Sequence, residues 1–239
     1  MSRAFQELDY CPTPSGALSL RRRHEPKLNQ EVWEILLGDE FLMSSHFTAS
    51  EIALGTLGVG ACTGSKLSVV VGGLGLGYTA QAVLDCDVVD ELRVVEFFEP
   101  VIEWHEAGLL PLGTRLCEDP RCAFVQGDFF AMAMGDGFDA DRPLQRFDAV
   151  LVDIDHAPDH LLDERSHGFY KVEGLRALKR HLKPGGVFGL WSDKPADPRF
   201  LERLEAAFPV AWSQPVTFDN PLTGVPFTQT VYLARTEPD

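Results

Sequence analysis

What the sequence lacks narrows the field first. Met1 to Tyr10 carries polar and charged residues where a secretory leader needs an apolar core, so no export signal and a cytoplasmic location are expected. Cysteines are few: Cys11, Cys62, Cys86, Cys117 and Cys122 form an odd set without a dense framework. That excludes a disulfide-built scaffold and points to reduced thiols. Cys117 and Cys122 have neither C-x-x-C spacing nor a second pair, so neither a bond between them nor a shared metal is expected. Positive charge is scarce, with 21 Lys and Arg against 36 Asp and Glu in 239 residues, a formal net charge of −15. This balance disfavours a nucleic-acid partner and suits a cationic or neutral small molecule. The uncharged run from Leu67 to Leu84 is broken by glycines and by Ser68, Thr79 and Gln81, so no membrane span and no membrane partner are expected. There is no G-x-S-x-G elbow, zinc-hydrolase motif, internal repeat or low-complexity tract. Gly60 to Lys66 comes close to a P-loop, but it precedes its strand and lacks the Gly-Lys-Ser/Thr order.

What is present centres on Leu67-Ser68-Val69-Val70-Val71-Gly72-Gly73-Leu74-Gly75-Leu76-Gly77. A β-branched run stops at clustered glycines and leads into helix-like sequence, which is the nucleotide-binding corner of a parallel α/β sheet. A dinucleotide fingerprint needs G-x-G-x-x-G. Gly73, Gly75 and Gly77 give the shorter G-x-G-x-G, which resembles the loop of enzymes that bind S-adenosylmethionine or its decarboxylated form. Glu96, ending the next apolar run, is placed to take both ribose hydroxyls.

Residues 1–60 read as a small β-rich lobe, and 61–239 as a Rossmann-like nucleoside-binding domain. In the lobe, strands are expected over Ala17–Arg23, Glu31–Leu37 and Glu40–Met43, with a hairpin at Gly38-Asp39. Thr48-Ala49-Ser50-Glu51 has capping-box spacing and opens a linking helix to about Leu57. From Lys66 onward, strands over Leu67–Val71, Glu91–Val95, Ala123–Gln126, Phe147–Val152, Gly186–Trp191 and Thr228–Ala234 alternate with helices. The helices are expected over Tyr78–Leu84, Pro100–Ala107, Phe129–Met134, Val172–Leu182 and Phe200–Phe208, and Gly135 to Arg146 reads as an exposed loop. Alternation of this kind predicts an α/β fold, doubly wound, with a mostly parallel sheet and helices on both faces.

Ligands in open α/β sheets sit beyond the carboxyl ends of the strands. Here those ends carry Gly72 to Gly77, then Glu96, Asp128 and Asp153. Glu96 is assigned to ribose, Asp128 to the adenine amine, and Asp153 to the reacting centre. Asp128 alone could equally cap the helix from Phe129.

With these residues in place the chain resembles the spermidine synthase-like aminopropyltransferases, within the S-adenosylmethionine-dependent methyltransferase fold class. Gly72-Gly73-Leu74-Gly75-Leu76 is similar to that family's GGDGG loop, and Val95-Glu96 and Gly127-Asp128 to its ribose and adenine acids. Val152-Asp153-Ile154-Asp155-His156-Ala157 sits where the family has V-D-S-S-D-P, and Phe169-Tyr170 and Leu182-Lys183-Pro184-Gly185-Gly186 also match. The resemblance implies that Asp153 orients and deprotonates an attacking amine, and that the lobe contributes to a homodimer. Three departures stand out. Leu74 replaces the acid that holds the donor's aminopropyl amine, Ala49-Ser50-Glu51 replaces Y-H-E, and His156 replaces the second acid of the strand-end motif, with Asp155 one position earlier.

The expected activity is transfer of an aminopropyl group from decarboxylated S-adenosylmethionine to an amine or polyamine. Asp153 and Asp155 are the catalytic candidates, and Glu51, His156 and Tyr170 the acceptor-binding ones. A methyltransferase using intact S-adenosylmethionine and a non-catalytic nucleoside-binding protein are the alternatives. Asp153 to His160 offers two histidines and three carboxylates, but Pro158 breaks the helix that would align His156 with His160. A gating loop rather than a metal site is expected there.

Overall fold

The computed structural model describes residues 5–238. Two sheets organise it. The first is an antiparallel meander of β1 (Phe5–Thr13), β2 (Gly16–Glu25), β3 (Gln30–Leu37) and β4 (Glu40–Ser44). Gly38, with φ of +60°, turns the expected β3–β4 hairpin. The second sheet contains β5 (Leu67–Gly72), β6 (Val89–Glu96), β7 (Cys122–Gln126), β8 (Phe147–Val152), β9 (Leu182–Ser192), β10 (Val210–Phe218) and β11 (Phe227–Arg235). Its order is β10-β11-β9-β8-β5-β6-β7, parallel from β9 through β7, with β11 and β10 added antiparallel.

The helices are α1 (Ala49–Gly60), α2 (Tyr78–Leu84), α3 (Glu99–Glu106), α4 (Gly113–Glu118), α5 (Phe129–Met134), α6 (Val172–Lys179) and α7 (Pro198–Ala207). Strand periodicity divides the central residues between two cores, since alternate side chains point to opposite faces. Val69, Val71 and Leu151 join the core beside α1 and α2, whereas Val70, Val150 and Val152 join the one beside α5, α6 and α7. Burial on both faces explains why β5 reads as a continuous apolar run.

Two local expectations are corrected. Thr48 occupies the N-cap of α1 without a side-chain cap bond; Glu51 is buried and turned toward the interior instead of closing a capping box. The α1 helix packs on the large sheet through Gly58 against Leu151, and on α2 through Gly55 against Ala82. The loop after α5 is not wholly exposed: Phe138 drops into the core, and Asp139 pairs with Arg93 at 2.7 Å. Among the described residues, no helix is long and apolar enough to cross a membrane.

The chain runs outward from β5 to β6 and β7, then returns to place β8 on the other side of β5. The strand order therefore reverses between β5 and β8, where open α/β sheets leave a ligand crevice.

Candidate functional site

A cavity of about 380 Å³ opens at this reversal. Its floor is the glycine loop and the ends of β6, β7 and β8, and its roof is the small sheet, through Ile35, Leu37, Leu42 and Met43. The start of the loop is held from both sides: Gly73 N donates to Val95 O at 2.9 Å, and Asp153 N donates to Gly72 O at 2.8 Å. Gly73 has φ of +93°, and a Cβ there would overlap the main-chain oxygen of Asp153. Only glycine permits so close an approach of two strand ends.

Glu96 is buried at the end of β6, accepting from Leu74 N through Oε2 and from Phe98 N through Oε1, each at 2.9 Å. Burial raises its pKa, against the pull of these backbone donors. From below, His105 Nε2 meets Gly75 O at 2.9 Å. Burial depresses the His105 pKa to about 4, so the ring is neutral at pH 7 and this bond requires its proton on Nε2. Nothing in the sequence pattern singles out His105, because it contacts a loop 30 residues away.

Gly73, Leu74, Gly75, Glu96 and Asp128 all line the cavity. The capping reading of Asp128 is met: Oδ1 accepts from Phe130 N and Ala131 N at the start of α5, and the residue also lines the cavity. Gly72 and Gly77 stand outside the lining. Gly72 makes room for Phe129, and Gly77 abuts Leu116 at the start of α2. Their part in the structure is to shape the loop and its packing.

On the β8 side, Asp153 faces the cavity with Oδ2 accepting from Thr79 Oγ1 at 2.6 Å. Glu51 reaches the same space from α1. Burial raises the pKa of both carboxyls, and the charge of Asp153 raises Glu51 further. Behind Glu51, Ser50 Oγ accepts from Trp191 Nε1 at 2.8 Å and lies 2.7 Å from Glu51 Oε2 and 2.5 Å from Gln229 Oε1. A hydroxyl has one proton to give. With Gln229 presenting its carbonyl, every partner is satisfied when Glu51 is protonated and donates to Ser50, which in turn donates to Gln229.

Stability should record this pair. A carboxyl whose pKa is raised by folding favours the folded state fully below its unfolded value of about 4, and that contribution is lost as pH rises through the folded value. Glu51→Gln removes the titration. The variant is therefore expected to be more stable than the parent at pH 8, by about 1–3 kcal/mol, with the gap closing toward pH 5. Denaturant unfolding at several pH values measures it; a pH-independent difference would exclude the shared burial of charge.

Of Asp155 and Tyr170, expected in catalytic and acceptor-binding roles, only Asp155 lines the cavity. The Asp155 carboxylate accepts from Leu162 N at 2.7 Å and Tyr170 OH at 2.7 Å, and Ser166 Oγ lies 3.1 Å from it and 2.7 Å from Asp163 O. Tyr170 is fully buried and outside the cavity lining. Together they anchor the 156–170 segment beside the site. His156 does line the cavity, 3.4 Å from Glu40 of β4. A bridge between Ala157 and His160 folds the Pro158 turn so that the rings of His156 and His160 lie 4.9 Å apart, an approach that the helix-breaking argument does not anticipate. Among the described residues, no group of three or more His, Cys, Asp or Glu is arranged to hold a metal ion.

No family model matches the sequence. Solved structures do match its fold. A spermidine synthase in complex with the transition state analogue AdoDATO aligns with a TM-score of 0.74 and 17% identity, covering 98% of this chain and 75% of that one. A spermidine synthase from Thermotoga maritima aligns with a TM-score of 0.71 and 17% identity, covering 98% of this chain and 73% of that one. The fold is thus spermidine synthase-like, with the methyltransferase-type sheet and the small antiparallel lobe expected from the sequence.

Proposed function

We propose, from this shared fold and from the cavity at its strand reversal, that the chain transfers an aminopropyl group from a decarboxylated S-adenosylmethionine-type donor to an amine. The observation that carries this reading is the carboxyl pair Asp153 and Glu51, facing a largely apolar cavity beside the glycine loop. Gly73 to Gly75 receive the nucleoside closely, Glu96 takes the ribose hydroxyls, and Asp128 accepts from the adenine amine through its uncommitted oxygen.

A protonated amine has no lone pair for attack, and free alkyl ammonium groups titrate near 10. Asp153 accepts that proton and passes it to solvent. The freed nitrogen attacks the carbon next to the sulfonium, forming the C–N bond as the C–S bond breaks and its electron pair returns to sulfur as neutral 5′-methylthioadenosine. The sulfonium supplies the leaving group, so the protein's work is alignment and proton removal.

The same carboxyls select the donor. Intact S-adenosylmethionine would bring its own carboxylate toward them, whereas the decarboxylated form brings only an ammonium. With Leu74 in the loop, the ammonium depends on Asp153 and Glu51 for its counter-charge. Calorimetric titration is expected to show tighter binding of the decarboxylated donor, and Leu74→Asp to raise its affinity further, about tenfold, as a charge-assisted hydrogen bond gives. Tighter binding of intact S-adenosylmethionine with methylated products would establish the methyltransferase alternative. Nucleoside binding without turnover of either donor would establish the non-catalytic one.

A further inference from the structure

Resting on the transfer reading, we propose that the acceptor is an amine with one basic nitrogen and an apolar body, and that diamines and polyamines are poor acceptors. A second cationic end needs a second anion, because a desolvated, unpaired ammonium is strongly disfavoured. The acids lining the cavity are Glu51, Glu96, Asp128, Asp153, Asp155 and Asp163. Glu96 is bound to the backbone at Leu74 and Phe98, and Asp128 caps α5, both on the nucleoside side. Asp155 is engaged on both oxygens, by Leu162 N and by Tyr170 OH, and Asp163 is paired with Arg165 at 2.6 Å. Only the Asp153–Glu51 pair remains for cations.

That pair offers less charge than its two carboxyls suggest. The hydrogen bonds around Ser50 close when Glu51 carries a proton, leaving a single negative charge on Asp153. Even with both carboxyls ionised, one serves the donor's ammonium and the other the attacking nitrogen. None is left for a distal ammonium.

The wall where a distal end would rest is apolar. Ile35, Leu37, Leu42 and Met43 project from β3 and β4 into the cavity, and Trp191 contributes its ring from β9. Hydrocarbon or aryl groups gain from burial against such side chains. Leu74, where the resemblance implies an acid, extends the same apolar surface.

The test uses the full-length chain saturated with 5′-methylthioadenosine and titrated calorimetrically with hexylamine, phenethylamine, 1,4-diaminobutane and 1,5-diaminopentane. In parallel, each amine is incubated with decarboxylated S-adenosylmethionine and the products are weighed by mass spectrometry. The expected result is binding of the monoamines at least about tenfold tighter than of the diamines, with aminopropylated monoamine as the main product. Leu42→Glu places an anion on the apolar wall and is expected to raise diamine affinity relative to monoamine affinity. Diamines binding as tightly as monoamines, or no amine binding at all, would overturn the proposal. Preferential monoamine binding without product from any amine would uphold this acceptor preference and sink the transfer reading, so the two failures are distinct.

Discussion

Asp153→Asn is expected to reduce turnover at saturating substrates by about 10²–10⁴-fold, the usual contribution of a positioned general base. The substitution keeps the shape and leaves an amide oxygen that can still accept from Thr79 Oγ1, now at 2.6 Å from the carboxylate. The main chain is fixed independently by the bond from Asp153 N to Gly72 O. Basicity is what disappears. Because Glu96 and Asp128 lie on other strands, 5′-methylthioadenosine affinity should change little, and removing a charge from a buried pair should leave the fold as stable or more so. Release of 5′-methylthioadenosine measures the rate, and calorimetry the binding. Wild-type turnover in the variant would falsify the assignment of Asp153 as base.

The parts of this architecture that could be read from the sequence are those with local causes. Tyr78–Leu84, Phe129–Met134 and Phe147–Val152 have the bounds that their apolar patterns predict. Each lies between glycine or polar punctuation and is packed on the buried sheet. Strands β1 and β10 escape the same reading because they lie at sheet edges and contain Pro12 and Pro215, which a strand pattern does not favour and an edge tolerates. The short α4 helix begins at Gly113, a weak helix former. At the site, the acids at the ends of β6, β7 and β8 follow from the rule that ligands gather at strand C-termini. What those acids are bonded to does not. Ser50 meets Trp191 across 141 positions and Gln229 across 179, so no local pattern could reveal the network that governs Glu51. The same holds for Asp155. Its residue type and neighbours suggest chemistry, but three partners arriving from 7 to 15 residues away make it an anchor.

Gly73→Ala is expected to abolish nucleoside binding and to destabilise the fold by about 3 kcal/mol or more, combining an unfavourable backbone conformation with overpacking. Two costs coincide at this residue. Its φ of +93° lies where side-chain-bearing residues rarely go, and the added Cβ would collide with the main-chain oxygen of Asp153 and sit 3.2 Å from Ile154 Cγ1. Neither neighbour can move freely, since Asp153 N is tied to Gly72 O at 2.8 Å and Gly73 N to Val95 O at 2.9 Å. Relief therefore requires the loop to lift. Lifting it strains the bond from Leu74 N to Glu96 and withdraws the backbone surface over which the nucleoside is proposed to lie. Gly185→Ala supplies the control, because Gly185 has φ of +72° but nothing within 4 Å of its added Cβ. It should incur only the conformational cost, about 1 kcal/mol, and bind 5′-methylthioadenosine normally. Thermal unfolding and calorimetry of the two variants separate backbone conformation from close approach, and equal losses in both would show that the corner between β5 and β8 has room to spare.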